Sequence, residues 1–346
     1  MTEPAHDTRM FAEAAESSAA VARQQANNAD LITDLAARLR RTDPHVVFTC
    51  ARGSSDHAAT FAKYLFETRL KIPTISQAPS ISSIYGGALP RMTGQPFVLV
   101  SQSGKSPDLL LSAEAARKAG ALVIAFVNDG RSPLAELAEI VVPLHAGSEK
   151  SVAATKSFIA TLAAFAHLAG AWTGDSRLQR AVAALPDALD AAWAADWSRG
   201  VDLFADAKSM FVLGRGPTLA TAQEAALKFK ETSGIHAEAF SIAEVAHGPM
   251  ALVKPGFPLL VFPPFDQAAA GFDGTIERFA GLGAKIAVAG MAHRNTVRLP
   301  VTTDLHPVVA PIAMIQSFYA LVNAVSVRRG YDPDHPPLLS KVTETR

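Results

Sequence analysis

The sequence predicts an α/β fold made of two tandem, doubly wound parallel-sheet domains of the flavodoxin-like kind. Short β-branched runs alternate with helical patterns along the 346 residues, as they do in parallel βαβ units. The same order of features also occurs twice. Both "FTCARGSSDHAATFAKYLFE" from Phe48 and "FVLGRGPTLATAQEAALKFKE" from Phe211 run from a strand through an Arg-Gly turn into a helix. Two such halves indicate a duplicated domain.

Each half contributes four predicted strands and then a long helix. In the first half we expect the strands at 45–49, 97–100, 122–126 and 140–143, and the helix at 153–170. In the second half we expect strands at 209–213, 259–262, 285–289 and 297–300, and the helix at 311–329. The predicted organisation is an N-terminal helical segment over 1–42, a first domain over 43–175 and a second domain over 200–346.

The composition argues against several classes of protein. With 49% hydrophobic and 18% charged residues, the chain can bury two sizeable cores. The formal net charge of +0 gives no basic field for nucleic acid or for an anionic membrane. The single cysteine, Cys50, suits a reducing compartment. The polar N-terminus lacks a secretory apolar core, and the apolar run 158–172 is interrupted by His167, so we expect a cytoplasmic protein without a membrane span.

A polar loop, "SQSGKSPD" at 101–108, separates the second predicted strand of the first half from the next helix. A helix N-terminus presents free N–H groups and a positive dipole end to an anion. Gly104 lets the backbone approach a ligand, and Ser106 and Pro107 suit the N-cap and the first helical position. A capped turn needs one serine, and the second half has "PPFDQAAA" at this place. We therefore predict a phosphate site whose side chains are Ser101, Gln102, Ser103 and Ser106.

Other phosphate motifs do not match. "GRGPTL" at Gly214 lacks the third glycine of a dinucleotide fingerprint, and no G-x-x-x-x-G-K-[ST] occurs. This argues against a dehydrogenase and against a P-loop enzyme. "GSS" at 53–55 follows the first predicted strand and is placed to close over the same ligand as the polar loop.

The densest group of titratable residues lies between 226 and 253. Lys228 and Glu231 are three residues apart at the end of a helix, so they share a face. Gly234 ends that helix, and "HGP" places His247 on a turn. If the polar loop holds a phosphosugar, the chemistry needs a ring opener and a base that moves a proton between C1 and C2; His and Glu are natural candidates. No Cys/His cluster accompanies "HAE" at 236–238, so we predict no metal.

Six motifs in this order resemble the SIS (sugar isomerase) domain family. They are "SQSGKSPD", "SVAATKSF", "LGRG", "EAALKFKETSGIHAEAF", "EVAHGPMALV" and "DPDHPPLLSKVTETR". The greatest likeness is to the isomerase half of glutamine–fructose-6-phosphate amidotransferase, which carries two SIS domains in tandem. The likeness extends over nearly the whole chain.

This resemblance implies a set of substrate contacts. The phosphate would be bound by Ser101, Gln102, Ser103 and Ser106, with Ser54 and Ser55 nearby. The sugar would be contacted at Gly53, Val152 and Ala153.

The resemblance also implies roles for four catalytic residues. Glu231 would be the base for C1/C2 proton transfer, and His247 would open the ring, reaching into the site of a neighbouring subunit. Lys228 would lie close to the reacting carbons. Lys341 matches a tail lysine that contacts the open-chain sugar and can form a Schiff base. A homodimer with sites at its interface is implied, and neither a metal nor an organic cofactor is required.

The sequence departs from the amidotransferase pattern at three places. Thr2 stands where the amidotransferase has its nucleophilic cysteine, and we expect no glutaminase domain. Lys105 stands where an acidic residue is usual, and Ala154 replaces the serine of V-A-S-T-K. Because no glutaminase is expected, the chain also resembles the SIS-type glucosamine-6-phosphate deaminases, and this resemblance implies the conversion of glucosamine 6-phosphate to fructose 6-phosphate and ammonia. Another aldose–ketose phosphosugar isomerase, a deglycase, an aminotransferase using free ammonia and, more distantly, a non-catalytic sugar-phosphate sensor remain open.

Overall fold

The structure is a computed structural model that describes residues 7–87 and 89–341. The chain divides into two compact units. The first unit comprises the described residues of Ala19–Glu149, Lys156–Ala183 and Ser340–Arg346. The second unit comprises those of Met1–Ser18, Lys150–Thr155 and Ala184–Leu339. The domain boundaries drawn from the sequence stay a prediction.

The first unit is built on a parallel five-stranded sheet. Its strands are β1 (Val47–Cys50), β2 (Thr74–Ser76), β3 (Pro96–Ser101), β4 (Leu122–Val127) and β5 (Ile140–Pro143), in the order β2-β1-β3-β4-β5. Its helices are α2 (Ser17–Thr42), α3 (Ser54–Leu65), α4 (Pro79–Ser83), α5 (Pro107–Lys118), α6 (Pro133–Leu137), α7 (Lys156–Thr173) and α8 (Ser176–Ala183). A π-helical turn, Phe66–Leu70, extends α3.

The second unit repeats this architecture. Its strands are β6 (Ser209–Gly214), β7 (His236–Ser241), β8 (Pro258–Val261), β9 (Lys285–Ala289) and β10 (Val297–Leu299), all parallel and in the order β10-β9-β8-β6-β7. Its helices are α1 (Arg9–Ala15), α9 (Leu185–Trp193), α10 (Arg199–Phe204), α11 (Thr218–Ser233), α12 (Phe272–Gly281) and α13 (Ala310–Arg328). Short 3-10 turns cover Glu244–His247, Pro249–Leu252 and Gln267–Ala269.

Both sheets therefore follow the doubly wound order 2-1-3-4-5, and the predicted fold class is confirmed. All eight predicted strands are present. The second strand of each sheet, β2 and β7, was not predicted. Both are edge strands, and they bury little: β2 has one buried residue of three, and β7 has one of six.

The central strands explain why the rest was predictable. All six residues of β3 and all six of β4 are buried, because helices cover both faces of a parallel sheet. Such strands are continuous apolar runs in the sequence. In the second unit Phe211 on β6 packs against Phe240 and Phe257, with ring centroids 5.1 and 4.9 Å apart.

Two long apolar helices belong to these cores. Fifteen residues of α7 are buried, which confirms that the run 158–172 forms a buried helix. Among the described residues, α13 is the one helix with the length and apolar character of a membrane span, and 83% of its 18-residue window is buried inside the structure.

Candidate active site

The polar loop after β3 has a backbone that glycine alone can provide. Gly104 has a φ of +64°, and a Cβ there would lie 2.1 Å from Oγ of Ser132. The Gly104 amide donates to Oγ of Ser101 at 3.0 Å, and the Gly104 carbonyl accepts from the amide of Leu134. The loop is therefore held in one conformation between the end of β3 and the start of α5.

Ser106 occupies the N-cap position of α5, as predicted, but its hydroxyl makes no capping hydrogen bond. The amides of Leu109 and Leu110 donate instead to the Ser106 carbonyl at 3.1 Å, and Pro107 has no amide hydrogen. The predicted N-cap position of Ser106 and first helical position of Pro107 are therefore confirmed, although the Ser106 side chain takes no part in the cap. Its hydroxyl is left available for another partner.

The loops after β1 and β3 together line a cavity of about 320 Å³ in the first unit. These two loops diverge at the point where the strand order reverses, which is where open α/β sheets bind ligands. The lining residues are Arg52, Gly53, Ser55, Val100, Ser101, Gln102, Ser103, Ser106, Leu109 and Lys341. Six of the residues predicted to bind substrate are thus brought together, and Ser54, the first residue of α3, is not among those that line the cavity.

An ion pair at the edge of this cavity was missed from the sequence. Arg52 Nε and Nη2 lie 2.8 and 2.7 Å from the same oxygen, Oδ2, of Asp108. Asp108, in the first turn of α5, is fully buried, whereas 49% of the Arg52 side chain is exposed. In the sequence Arg52 is only part of the repeated Arg-Gly turn, and nothing links it to Asp108, which lies 56 residues away.

Lys341 lines the cavity and reaches a second buried carboxylate. Its Nζ donates to Oε2 of Glu149 at 3.3 Å, and Glu149 also accepts from the amide and the hydroxyl of Ser157. Glu149 has no exposed side-chain surface, so Lys341 balances a charge that the fold has already buried. The sequence had singled out Lys341 but not Glu149.

In the second unit, the C-terminal end of α11 carries a buried ammonium between two carboxylates. Lys228 Nζ lies 2.6 Å from Oε2 of Glu231 and 3.3 Å from Oε1 of Glu224. The shared face predicted for Lys228 and Glu231 is confirmed. Burial lowers the pKa of Lys228, but the two carboxylates raise it more, so its pKa lies above the usual lysine value.

Glu224 was missed, although its position four residues before Lys228 was a usable signal. Its side chain is fully buried and also accepts a hydrogen bond from the Tyr319 hydroxyl at 3.4 Å. Glu231 differs in that 20% of its side chain is exposed. Of the two carboxylates, Glu231 is therefore the one that a substrate can reach.

His247 and the loop before α7 also belong to the second unit. His247 is exposed at the end of a 3-10 turn, and the following Gly248 has a φ of +144°, so the chain turns there as predicted. Val152 is half-buried, and Ala153 is fully buried. The buried carboxylate of Glu13 fixes this loop by accepting from the amides of Lys150 and Ser151.

No group of three or more His, Cys, Asp or Glu side chains within 7–87 and 89–341 is arranged to hold a metal ion. The single thiol is of no use as a ligand or nucleophile, because burial raises the pKa of Cys50 to about 12.

The family model described as "SIS domain" matches residues 42–171 and 203–326. The chain belongs to the SIS family. Both matches coincide with the two parallel sheets, so this SIS protein carries the domain twice, and the recognition from six motifs is confirmed.

Curated relatives of this SIS chain include two glutamine–fructose-6-phosphate aminotransferases. The protein from Thermococcus kodakarensis is 30% identical over 334 residues, which is 91% of this chain and 54% of that protein. The protein from Zymomonas mobilis is 33% identical over 312 residues, 84% of this chain and 50% of that protein. The chain thus spans about half the length of the curated relatives it matches and is homologous to their isomerase portion.

Solved structures agree with this assignment. A protein from Silicibacter pomeroyi, proposed to be a phosphosugar isomerase, has 41% identity and a TM-score of 0.88, over 94% of this chain and all of that one. The C-terminal domain of glucosamine–fructose-6-phosphate aminotransferase from Francisella tularensis has 25% identity and a TM-score of 0.85, over 95% and 98%. A glucosamine-6-phosphate deaminase from Thermotoga maritima, at 23% identity and a TM-score of 0.77, shares the fold.

The two SIS domains offer different chemistry. The first provides a hydroxyl-lined cavity suited to a phosphate, together with two cationic side chains. The second provides a carboxylate held by a buried ammonium and an exposed imidazole, which are groups that move protons. The hydroxyl-lined cavity and the Lys228–Glu231 pair thus lie in different SIS domains.

Proposed function

We propose that this chain is a phosphosugar enzyme of amino-sugar metabolism and acts as an isomerising glucosamine-6-phosphate deaminase. The reaction would convert glucosamine 6-phosphate and water into fructose 6-phosphate and ammonia. The observation that carries the proposal is the pairing of Lys228 with the partly exposed carboxylate of Glu231, in a chain whose other domain holds the serine-lined cavity.

Phosphate binding is assigned to the loop after β3. Gln102, Ser103 and Ser106 are half-buried in the cavity wall, so their amide and hydroxyl groups are accessible. Ser101 is 95% buried and its hydroxyl accepts from the Gly104 amide, so it also shapes the loop. Ser55 and Gly53 close the other side of the cavity. Ser54, Val152 and Ala153 stay predicted contacts.

Proton transfer is assigned to Glu231. Its carboxylate would remove the C2 proton of the open-chain aldehyde, and the C2–H electron pair would form the C1=C2 bond of an enolamine. The π pair of the C1=O bond moves to O1, which is protonated by water, while Glu231 keeps the C2 proton. Return of that proton to C1 gives a ketose imine. Water then adds to C2 and ammonia leaves, which yields the ketone. Lys228 would hold Glu231 in place, and Lys341 would contact the open-chain sugar.

Ring opening is assigned to His247. Its imidazole is exposed and makes no hydrogen bond to a described side chain or backbone group, which is the condition for reaching a substrate. We propose that it acts in the site of a second copy, within a cytoplasmic homodimer. An isomerase of this kind requires no metal or organic cofactor, because every step is a proton transfer, the addition of water or the loss of ammonia.

Deamination is favoured over glutamine-dependent synthesis by the nature of the residues present. Release of ammonia from glutamine by a thiol requires a thiolate, and the only cysteine of these 346 residues is buried with a pKa of about 12. Deamination needs water alone. The deaminase from Thermotoga maritima also has this fold.

The test is to mix purified protein with glucosamine 6-phosphate and to follow ammonia and fructose 6-phosphate together, with and without glutamine. We expect equimolar release of both products, independent of glutamine. Glu231→Gln should lower the rate by roughly 10²–10⁴-fold, the contribution of a general base. Glu238→Gln is the matched control, because Glu238 is an exposed carboxylate on the adjacent β7.

A second candidate is an aldose–ketose isomerase that acts on a sugar phosphate without an amino group. The 41%-identical protein from Silicibacter pomeroyi favours it. Interconversion of such a substrate without ammonia release, still lost in Glu231→Gln, would replace the deaminase by this isomerase. Turnover of a fructose 6-phosphate adduct or of free ammonia would indicate a deglycase or an aminotransferase, and binding without turnover would indicate a sensor.

A further inference from the structure

Two cationic side chains, Arg52 and Lys341, line the cavity of the first unit, and each pairs with a buried carboxylate. They differ in exposure. Of the Lys341 side chain 23% is exposed, whereas 49% of the Arg52 side chain is exposed. Arg52 therefore presents much of its surface to solvent or to a ligand, although it is already ion-paired.

The ion pair uses only one edge of the Arg52 guanidinium. Nε and Nη2 both contact a single oxygen, Oδ2 of Asp108, at 2.8 and 2.7 Å. The third nitrogen, Nη1, donates no hydrogen bond to any group within 7–87 and 89–341. A guanidinium has five N–H donors in a fixed plane, so this arrangement leaves a rigid edge with donors to spare.

We propose that this remaining edge of Arg52 binds the phosphate of the substrate and makes the cavity selective for a dianion. Asp108 is then a positioning residue, because it holds the guanidinium plane without blocking the second edge. The inference rests on the proposed function only in requiring that the ligand be a sugar phosphate.

The charges around the cavity support this assignment. The serine and glutamine side chains of the polar loop are neutral, and the fully buried Asp108 would repel a phosphate if it were alone. Arg52 cancels that charge and places donors towards the anion. Hydrogen bonds from guanidinium to phosphate are about twice as strong as those from neutral donors.

The second unit has an arginine at the equivalent position, and its guanidinium is bonded differently. Arg215 stands in the equivalent Arg-Gly turn, and its Nη1 donates to the carbonyl of Ala270 at 3.3 Å. The corresponding nitrogen of Arg52 has no backbone partner in the part of the chain that the structure describes. A structural arginine is expected to use this nitrogen on the protein backbone, as Arg215 does, whereas a ligand-binding arginine is expected to keep it for the ligand.

The experiment compares phosphate binding in the full chain and in three variants, Arg52→Gln, Arg52→Lys and Arg52→Gln/Asp108→Asn. The probes are inorganic phosphate and fructose 6-phosphate, with fructose as the uncharged control, all followed by calorimetry. The double variant matters most, because it removes both charges and keeps the net charge of the wild type. It also avoids the unpaired buried carboxylate that can prevent Arg52→Gln from folding.

We expect the double variant to bind both phosphate probes at least about 10-fold more weakly than the wild type, the loss of one charge-assisted bond. Arg52→Lys should recover part of that loss, since an ammonium supplies a charge but not the planar pair of donors. The control is Arg38→Gln/Glu139→Gln, which removes an exposed Arg–Glu pair elsewhere in the same unit and should leave the affinity unchanged.

Wild-type affinity in the double variant would overturn the inference, because Arg52 would then only neutralise Asp108. Failure of the wild type to bind either phosphate probe would overturn it as well. The proposed function fails separately: if the wild type binds fructose 6-phosphate through Arg52 but releases no ammonia from glucosamine 6-phosphate, the arginine site stands and the deaminase does not.

Discussion

The Arg-Gly turns of the two units follow the equivalent strand of the same sheet order, yet the side chains near them have different surroundings. Gly53 and Gly216 have similar left-handed φ values of +52° and +61°. In the second unit the Thr218 hydroxyl is buried, donates to the Phe262 carbonyl at 2.7 Å and accepts from the Arg215 amide at 3.0 Å. In the first unit Ser55, at the equivalent position, lines the cavity. The same Arg-Gly sequence thus precedes a cavity-lining side chain in one unit and a packed hydroxyl in the other.

The next loop differs in the same sense. After β8, Pro263 and Pro264 are buried, so apolar rings fill the place where the first unit has its polar loop. After β3, Gln102 and Ser103 remain half-buried beside a cavity. The two units share one strand order, and the side chains at the switch point decide whether that place holds a cavity or a packed loop.

In the helices that follow these turns, the functional group lies in the second unit instead of the first. Lys63 on α3 and Glu67 in the π-helical turn that follows form an ion pair with 3.9 Å between Nζ and Oε1. Their side chains are 48% and 40% exposed, and such pairs contribute little to stability. On α11 the Lys228 side chain is 1% exposed and lies between Glu224 and Glu231. The acid–base group is therefore found in the unit whose switch point is packed.

The largest expected effect is a loss of stability when the lysine of α11, but not that of α3, is replaced. Lys228→Met leaves two carboxylates around a buried apolar side chain, so the free energy of unfolding should fall by about 3–5 kcal/mol. Lys63→Met, the matched change on α3, should alter it by no more than about 0.5 kcal/mol. Urea unfolding followed by circular dichroism measures both. A loss below about 1 kcal/mol for Lys228→Met would mean that the buried ammonium is not needed to compensate the carboxylates.

The second prediction concerns equivalent core positions on β1 and β6. Cys50 stands where the second unit has Leu213, and both are fully buried. With a pKa of about 12, Cys50 holds roughly 10³-fold less thiolate at pH 8 than a free thiol does, so alkylation of the folded protein should be slower by at least that factor. Mass spectrometry with iodoacetamide, with and without urea, measures the ratio; rapid labelling of the native chain would contradict the buried position.

The same thiol gives a pH dependence with a definite sign. Above the ordinary thiol pKa of about 8.5 the unfolded chain loses its proton, while the folded chain keeps it up to about 12. The unfolded state then binds fewer protons, so this contribution to stability falls as pH rises, by up to about 1.4 kcal/mol per pH unit. The free energy of unfolding of Cys50→Ala should fall less steeply over that range. Parallel pH curves for the two proteins would refute this.

The third prediction compares two left-handed glycines. Gly104→Ala combines a φ of +64° with a Cβ that would lie only 2.1 Å from Ser132 Oγ, and it should lower the free energy of unfolding by about 2–5 kcal/mol. Gly216→Ala has a similar φ, but the nearest atom, Ala268 Cβ, lies at an ordinary 3.6 Å, so only the conformational cost of about 1–2 kcal/mol remains. Thermal unfolding of the two variants measures the difference, and equal losses would show that the Ser132 contact relaxes freely.

The smallest effects test the hydroxyl groups themselves. Ser103→Ala should weaken binding of fructose 6-phosphate by about 5–10-fold, near 1 kcal/mol, with stability almost unchanged. Thr218→Val should do the reverse, lowering stability by about 1–3 kcal/mol because the Phe262 carbonyl and the Arg215 amide lose a buried partner. Calorimetry and urea unfolding separate the two. If both variants changed only binding, or both changed only stability, the proposed difference between a ligand-binding loop and a structural turn would be wrong.

Local patterns in the sequence determined most of the fold. The strands buried on both faces are continuous apolar runs, Gly234 ends α11 with a φ of +60°, and the spacing of Lys228 and Glu231 places them on one face of α11. Each of these depends on residues within a few positions of each other. The edge strands β2 and β7 were not predicted, because most of their side chains are not buried and their sequences therefore lack a continuous apolar run.

Only the tertiary structure decided which side chains meet. Arg52 pairs with Asp108 across 56 residues because the parallel strands β1 and β3 bring their carboxyl ends to one edge of the sheet. Lys341 pairs with Glu149 across 192 residues because the described end of the chain belongs to the first unit. The N-cap position of Ser106 was predictable, but only the structure shows that the amides of Leu109 and Leu110 donate to its carbonyl while its hydroxyl makes no capping hydrogen bond. The sequence by itself determined the duplicated sheets, the polar loop and the acid–base segment; burial and long-range pairing determined which charges are held and which remain accessible to a ligand.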